Sequence, residues 1–136
     1  VGKPDEELID TRLEDYMAAI AYVEQGQSMQ ADKLFSQIAS SNMSEAYFDS
    51  NNLLVVLALR NLGKVDMADS LVNEWKVKHV HNEIAQWCIL VYNNEKKKAT
   101  EILNKYEETE EIAPWNVGYR DYNFKLIRKL SRILKK

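Results

Sequence analysis

The chain has 136 residues, 46% hydrophobic and 29% charged, with a net charge of −3. That is the length of one domain with enough apolar material for a core. Its 4 glycines and 2 prolines are too few for a β-sandwich or barrel, which need a turn every ten residues or so, and its single cysteine excludes an internal disulfide. The longest apolar runs, at 16–23, 53–59 and 88–92, fall short of the roughly 20 residues that span a bilayer. Charge is unevenly spread. Residues 119–136 hold seven Lys/Arg against Asp121, a surplus of +6 that leaves −9 on the remainder, concentrated at 5–15 and 101–111.

Taken in chain order, the pattern predicts seven helices. The first, about 5–25, has Pro4 at its opening and Asp5, Glu6 and Glu7 at the positive end of its dipole. Gly26 breaks it. The second, about 28–41, places Leu34, Phe35 and Ile38 on one face. Ser44 is an N-cap candidate for the third, about 44–62, which is apolar on more than one face, as suits a helix held between neighbours. After Gly63 the fourth, about 65–79, repeats the apolar spacing with Leu71, Val72 and Trp75. Asn82 caps the fifth, about 82–93, and Asn94 stands where the earlier breaks have glycine. The sixth, about 96–109, repeats the spacing again with Ile102, Leu103 and Tyr106. "EIAPWNVG" (111–118) breaks the chain before a last helix, about 117–135. Its stripe of Leu126, Ile127, Leu130, Ile133 and Leu134, with basic residues opposite, has the form of a cap with one wet face.

The breaks repeat. Gly26 and Ala31 recur as Gly63 and Ala68, 37 residues later, and Phe35 recurs as Val72 at the same offset. Asn94 and Ala99 form a third copy, 31 residues beyond the second. Gly or Asn can take the left-handed conformation that closes a helix, and the Ala five residues on marks a close crossing of two antiparallel helices. The expectation is one all-α domain, 1–136, of three helical hairpins (about 5–41, 44–79 and 82–109) and a capping helix (about 117–135).

These positions resemble the tetratricopeptide repeat (TPR), a helix-turn-helix unit of about 34 residues. Ala19, Tyr22, Gly26, Ala31 and Phe35 match its pattern in the first unit; in the second, Gly63 and Ala68 match, with Val56, Leu59 and Val72 as looser apolar substitutes. The Trp-Leu-Gly-Tyr signature is nowhere intact, Trp87 with Leu90 or Tyr92 only echoing it, and the proline that follows each unit is missing. The likeness covers about residues 10–109. It implies a right-handed α-α superhelix, a protein-binding solenoid whose first helices line a concave groove. The groove positions carried over are Leu13, Tyr16, Ile20, Val23 and Glu24, then Leu53, Leu57, Arg60 and Asn61, then Ile84, Cys88 and Tyr92. The chaperone-binding branch of the family holds Lys, Arg and Asn there, to clamp a terminal carboxylate. Tyr, Ile and Leu in their place imply an apolar protein or peptide partner instead. A homodimer covering the same surface is the next candidate.

The chain also resembles bacterial TPR-like proteins in which an "AQW" helix start and a basic terminal helix belong to the soluble end of a membrane-anchored protein. It opens on Val1 rather than Met, so the expectation is a piece of a longer bacterial protein, cytoplasmic or periplasmic, with room for an anchor upstream.

Little points to catalysis. His79 and His81 are two residues apart, about 200° around a helix, whereas helical zinc ligands want a spacing of four. Glu83 and Cys88 would join them only by accident of the fold. "YEETEEIAP" (106–114) lacks the alternating Asp/Asn and central Gly of a calcium loop. No phosphate-cradling glycine loop or nucleophile elbow occurs. The expectation is a non-enzymatic scaffold with no cofactor. The alternative is a module that binds an anionic membrane or nucleic acid through Arg120, Lys125, Arg128, Lys129, Arg132, Lys135 and Lys136. Nucleic acid ranks lower, because no aromatic ladder accompanies the charges.

Overall fold

A computed structural model describes residues 10–41, 43, 48–112 and 118–134. The protein is all-helical, with no strand among these residues. Its helices are α1 (Arg12–Glu24), α2 (Ser28–Ala39), α3 (Asn52–Asn61), α4 (Val65–Lys78), α5 (Glu83–Tyr92), α6 (Lys96–Ile112) and α7 (Tyr119–Ile133).

The three corners that pair α1 with α2, α3 with α4 and α5 with α6 share one backbone geometry. Gly26, Gly63 and Asn94 sit at φ of 75°, 80° and 61°. At each corner this residue's N–H donates three residues back: Gly26 to Val23, Gly63 to Arg60 and Asn94 to Val91, each at 3.0 Å. The following N–H donates five residues back, Gln27 to Tyr22, Lys64 to Leu59 and Glu95 to Leu90, at 2.8–2.9 Å. This is the Schellman arrangement, which satisfies carbonyls that a helix end otherwise leaves orphaned. Four residues further on, the N–H groups of Ala31, Ala68 and Ala99 close the first turn of the next helix on Gln27, Lys64 and Glu95. All three alanines are buried, and their lack of bulk lets the paired helices approach.

Packing between hairpins is equally regular. Each second helix packs on the first helix of the next unit (α2 on α3, α4 on α5, α6 on α7), and the first helices touch in succession, α1–α3, α3–α5 and α5–α7. The second helices do not approach one another among the described residues. Hence α3 is enclosed, with every residue from Asn52 to Leu59 buried. The core runs from the Tyr16–Phe35 edge contact through Leu53–Leu59 to Ile84, Ala85, Trp87 and Cys88. It ends where Tyr106 of α6 stacks on Phe124 of α7 at 3.9 Å and 5°. Ile127 and Leu130, two residues of the expected stripe, are buried beside Phe124.

Two helix starts differ from expectation. A helix running unbroken over 5–25 does not form, since Asp10 and Thr11 are not helical; the Asp10 carboxylate accepts the Arg12 N–H at 3.0 Å and α1 starts there. Pro4 and the acidic residues 5–7 lie outside the described residues. The third helix begins at Asn52, not 44. Phe48 and Asp49 are not helical and Ser50–Asn51 turn, with Asp49 Oδ1 accepting the Asn51 N–H at 2.8 Å. An Asp-Ser-Asn run satisfies its own backbone better in such a turn than in a helix. Ser44 falls outside the described residues. At the fifth helix, by contrast, Asn82 is the cap: its Oδ1 accepts from Ile84 N at 2.8 Å and Ala85 N at 3.1 Å.

An added Cβ at Gly63 would meet nothing within 4 Å, so its penalty is conformational alone. Gly63→Ala is expected to lower stability by about 1–2 kcal/mol in urea denaturation, while Asn94→Gly, already in a left-handed corner, is expected to be neutral or slightly stabilising. A Gly63→Ala protein as stable as its parent would contradict the corner's role.

Candidate functional site

A cleft lies where the first and last helices face each other. One wall is the start of α1, with Asp10, Leu13 and Glu14; the other is a stripe of α7, with Tyr122, Lys125, Leu126 and Lys129. Asn51, from the turn before α3, lies between them, and the volume is about 280 Å3. Spacings of three and four residues put each set on one helical face. The charge asymmetry of the sequence is therefore local: an acidic wall opposes a basic one.

A buried polar network adjoins this cleft through Asp10 and Asn51. Asn123 Oδ1 accepts the Ser50 N–H at 2.7 Å, joining α7 to the turn, and both residues are fully buried. Arg12 grips Asp10 through Nε (3.0 and 3.1 Å) and Nη2 (2.6 Å), and Asp10 Oδ2 accepts from Asn51 Nδ2 at 3.1 Å. Burial works to raise the Asp10 carboxyl, but the Arg12 hydrogen bonds and charge prevail and leave it below its ordinary value. Burial and the charges of Asp49 and Asp10 push the Tyr122 phenol up. Ser50 Oγ, Asn51 Oδ1, Asn52 Oδ1 and Arg12 Nη1 are buried with no hydrogen-bond partner. Such a cluster of orphans is uncommon, because each costs free energy.

The expected groove positions divide. Leu13 lines the cleft, and Ile20 is half-buried against the core. Val23, Glu24, Arg60 and Asn61 are exposed. Tyr16, Leu53, Leu57, Ile84, Cys88 and Tyr92 are buried, because neighbouring first helices close over them; they serve the core and offer no open surface. Arg60 donates to the Tyr92 carbonyl at 2.9 Å and lies over its ring, 4.6 Å from the centroid, while the Tyr92 hydroxyl donates to Asp69 at 2.5 Å.

The basic residues are partly spent inside the fold. Arg120 pairs with Glu83 and lies 4.4 Å from the Tyr106 centroid; Arg128 reaches Glu107 at 3.4 Å and the same ring at 5.3 Å; Lys125 reaches Asp121 at 3.2 Å. Lys129 and Arg132 are exposed. Lys135 and Lys136 lie outside the described residues.

Of the candidate ligand set, His79 packs edge-on to Phe48 at 5.2 Å, His81 is exposed in the turn and Glu83 is held by Arg120. Cys88 is buried, its thiol pushed well up by burial. No three His, Cys, Asp or Glu gather into a metal-binding set among the described residues. None of the described helices is long and apolar enough to cross a membrane.

No family model, curated protein or solved structure matches this chain.

What the sequence reading missed is the polar turn and its contact with α7. The run Asp49-Ser50-Asn51-Asn52 ahead of an apolar helix was the available signal, since these residues favour turns over helix interiors. Nothing local marked Asn123 as their partner.

Asn123→Ala leaves the buried Ser50 N–H without that acceptor and is expected to cost about 1–3 kcal/mol. Ser50→Ala removes a hydroxyl that already lacks a partner and is expected to be neutral or stabilising. Equal losses in parallel thermal melts would show the turn contributes through packing alone. The Asp10 shift has a sign: a lowered folded pKa gives stability that is whole above the unfolded value near 3.8 and lost as pH falls through the folded value. Arg12→Gln should therefore shrink the acid-side loss of stability in a pH series of melts.

Proposed function

We propose that this protein is a non-enzymatic scaffold that binds a protein or peptide segment in the cleft between α1 and α7. We further propose that its hairpins form a TPR-like, right-handed superhelix, with α1 the first helix that faces the partner. What supports this reading above all is the cleft itself. Apolar Leu13 and Leu126 both line it, charges of opposite sign flank them, and the buried side chain of Asn51 completes its lining. Sites of this composition hold a ligand by apolar contact and orient it by a few polar groups. The corners supply the rest, since three repeated hairpins fix both walls on helices rather than on loops.

A second copy of the chain is the competing occupant. The anionic-surface alternative has less support. Arg120, Arg128 and Lys125 are engaged with acidic groups of the fold, so a smaller charge is free for counterion release.

Selection from a random peptide display library tests the reading. Wild type is expected to enrich sequences that a Leu13→Asp/Leu126→Asp variant does not, while a Val77→Ala control, altered on an exposed residue, enriches them unchanged. Circular dichroism checks that each variant remains helical. Identical pools from wild type and the cleft variant would refute the cleft as the binding surface. Sedimentation showing a stable dimer that the same variant abolishes would assign the cleft to a second copy.

A further inference from the structure

We infer a second binding site, a small cavity where α5, α6 and α7 meet, which takes a carboxylate carrying one aromatic ring or a short branched chain. It goes beyond the scaffold reading and does not depend on it, since no residue lines both this cavity and the α1–α7 cleft.

The first support is size and lining. Trp87, Val91, Ala99 and Leu134 form the apolar part of a cavity of about 160 Å3, and Lys96, Thr100 and Ser131 form its polar part. An apolar cavity of ~150 Å3 admits benzene, so a single ring fits here and a larger framework does not. Apolar contact then holds the ligand, and the few polar groups orient it.

The second support is that those polar groups are donors. Trp87 is 2% exposed, and its indole N–H has no acceptor among the described residues. Its nitrogen is nonetheless accessible, unlike the orphan atoms around Asn51. Of the cavities named here Trp87 lines this one alone, so the little surface it keeps is what the cavity reaches. Buried indole N–H groups ordinarily have a partner, and an open one calls for an acceptor. Lys96 Nζ donates to the Leu134 carbonyl at 3.2 Å, which holds the ammonium beside a lining residue and leaves it further protons to give. Thr100 spends its proton on the Lys96 carbonyl at 2.9 Å, whereas the Ser131 hydroxyl has no partner among the described residues. No carboxylate lines the cavity. Glu95, next to Lys96 in sequence, is taken up by Lys98 at 3.3 Å. Indole and ammonium can only donate, and a carboxylate can only accept. One ammonium also matches one negative charge, in a charge-assisted bond of the stronger kind.

Indole N–H signals in 15N–1H spectra test this. The chain has three tryptophans, and Trp87→Phe identifies the relevant signal. Phenylacetate is expected to move it saturably in the millimolar range. Phenylacetamide, of the same shape but uncharged, should bind about tenfold more weakly, and acetate should not bind. Lys96→Gln, at an exposed position, should abolish the difference between acid and amide, while Lys97→Gln preserves it. Circular dichroism checks that both variants stay helical. An unmoved Trp87 signal, equal binding of acid and amide, or an acid–amide difference that survives Lys96→Gln overturns the inference. N-acetylphenylalanine binding where phenylacetate does not would overturn it too, in favour of a peptide C-terminus.

Discussion

Everything in this fold hangs on three left-handed corners. A helix end exposes carbonyls that must find donors, and the residue that turns the chain back must accept a positive φ. Gly26, Gly63 and Asn94 meet both conditions with the same pair of hydrogen bonds. The buried alanine five residues after each then sets how closely the returning helix lies. Direction and spacing are fixed locally, before any long-range contact is made. The core follows from them, because stacking such hairpins encloses α3 on all sides and leaves α5 and α7 to extend the row.

As a consequence α1 and α7 line one cleft. Acidic residues at the start of α1 face basic residues of α7, and the turn before α3 joins both through Asn51 and Asn123. Part of the positive charge of α7 is neutralised before it can act outward: Arg120 and Arg128 both lie over the Tyr106 ring, each near a glutamate. Guanidinium groups suit this use, since they stack on aromatic faces and form directed pairs together. A sequence whose last helix reads as a basic surface folds so that much of that surface is internal bracing.

The corners were legible because their requirement is local and chemical. A glycine or asparagine, a fixed spacing to alanine and an apolar stripe on either side are all visible without the fold. The Asn82 cap was legible on the same terms. The start of α3 was not, because the apolar run after Asn52 extends a helical pattern back over Asp49-Ser50-Asn51, and the turn wins only through the partner it finds 73 residues away. The burial of several groove positions inferred by resemblance was hidden for a related reason. Tyr16, Leu53, Leu57 and Tyr92 stand on the side where first helices meet, and how far those helices close over them depends on packing that no single helix records. The charge imbalance between the chain's ends was plain in the sequence; that α1 and α7 form opposite walls of one cleft was not.

The hydrogen bond from Ser50 to Asn123 has a temporal meaning. Hairpin corners involve neighbours in sequence and can form as the chain emerges, whereas this bond closes a loop that includes most of the protein. A nascent or clipped chain lacking α7 would hold its corners and still have only one wall of the cleft. The cleft is thus closed last, as a completeness check written into the topology.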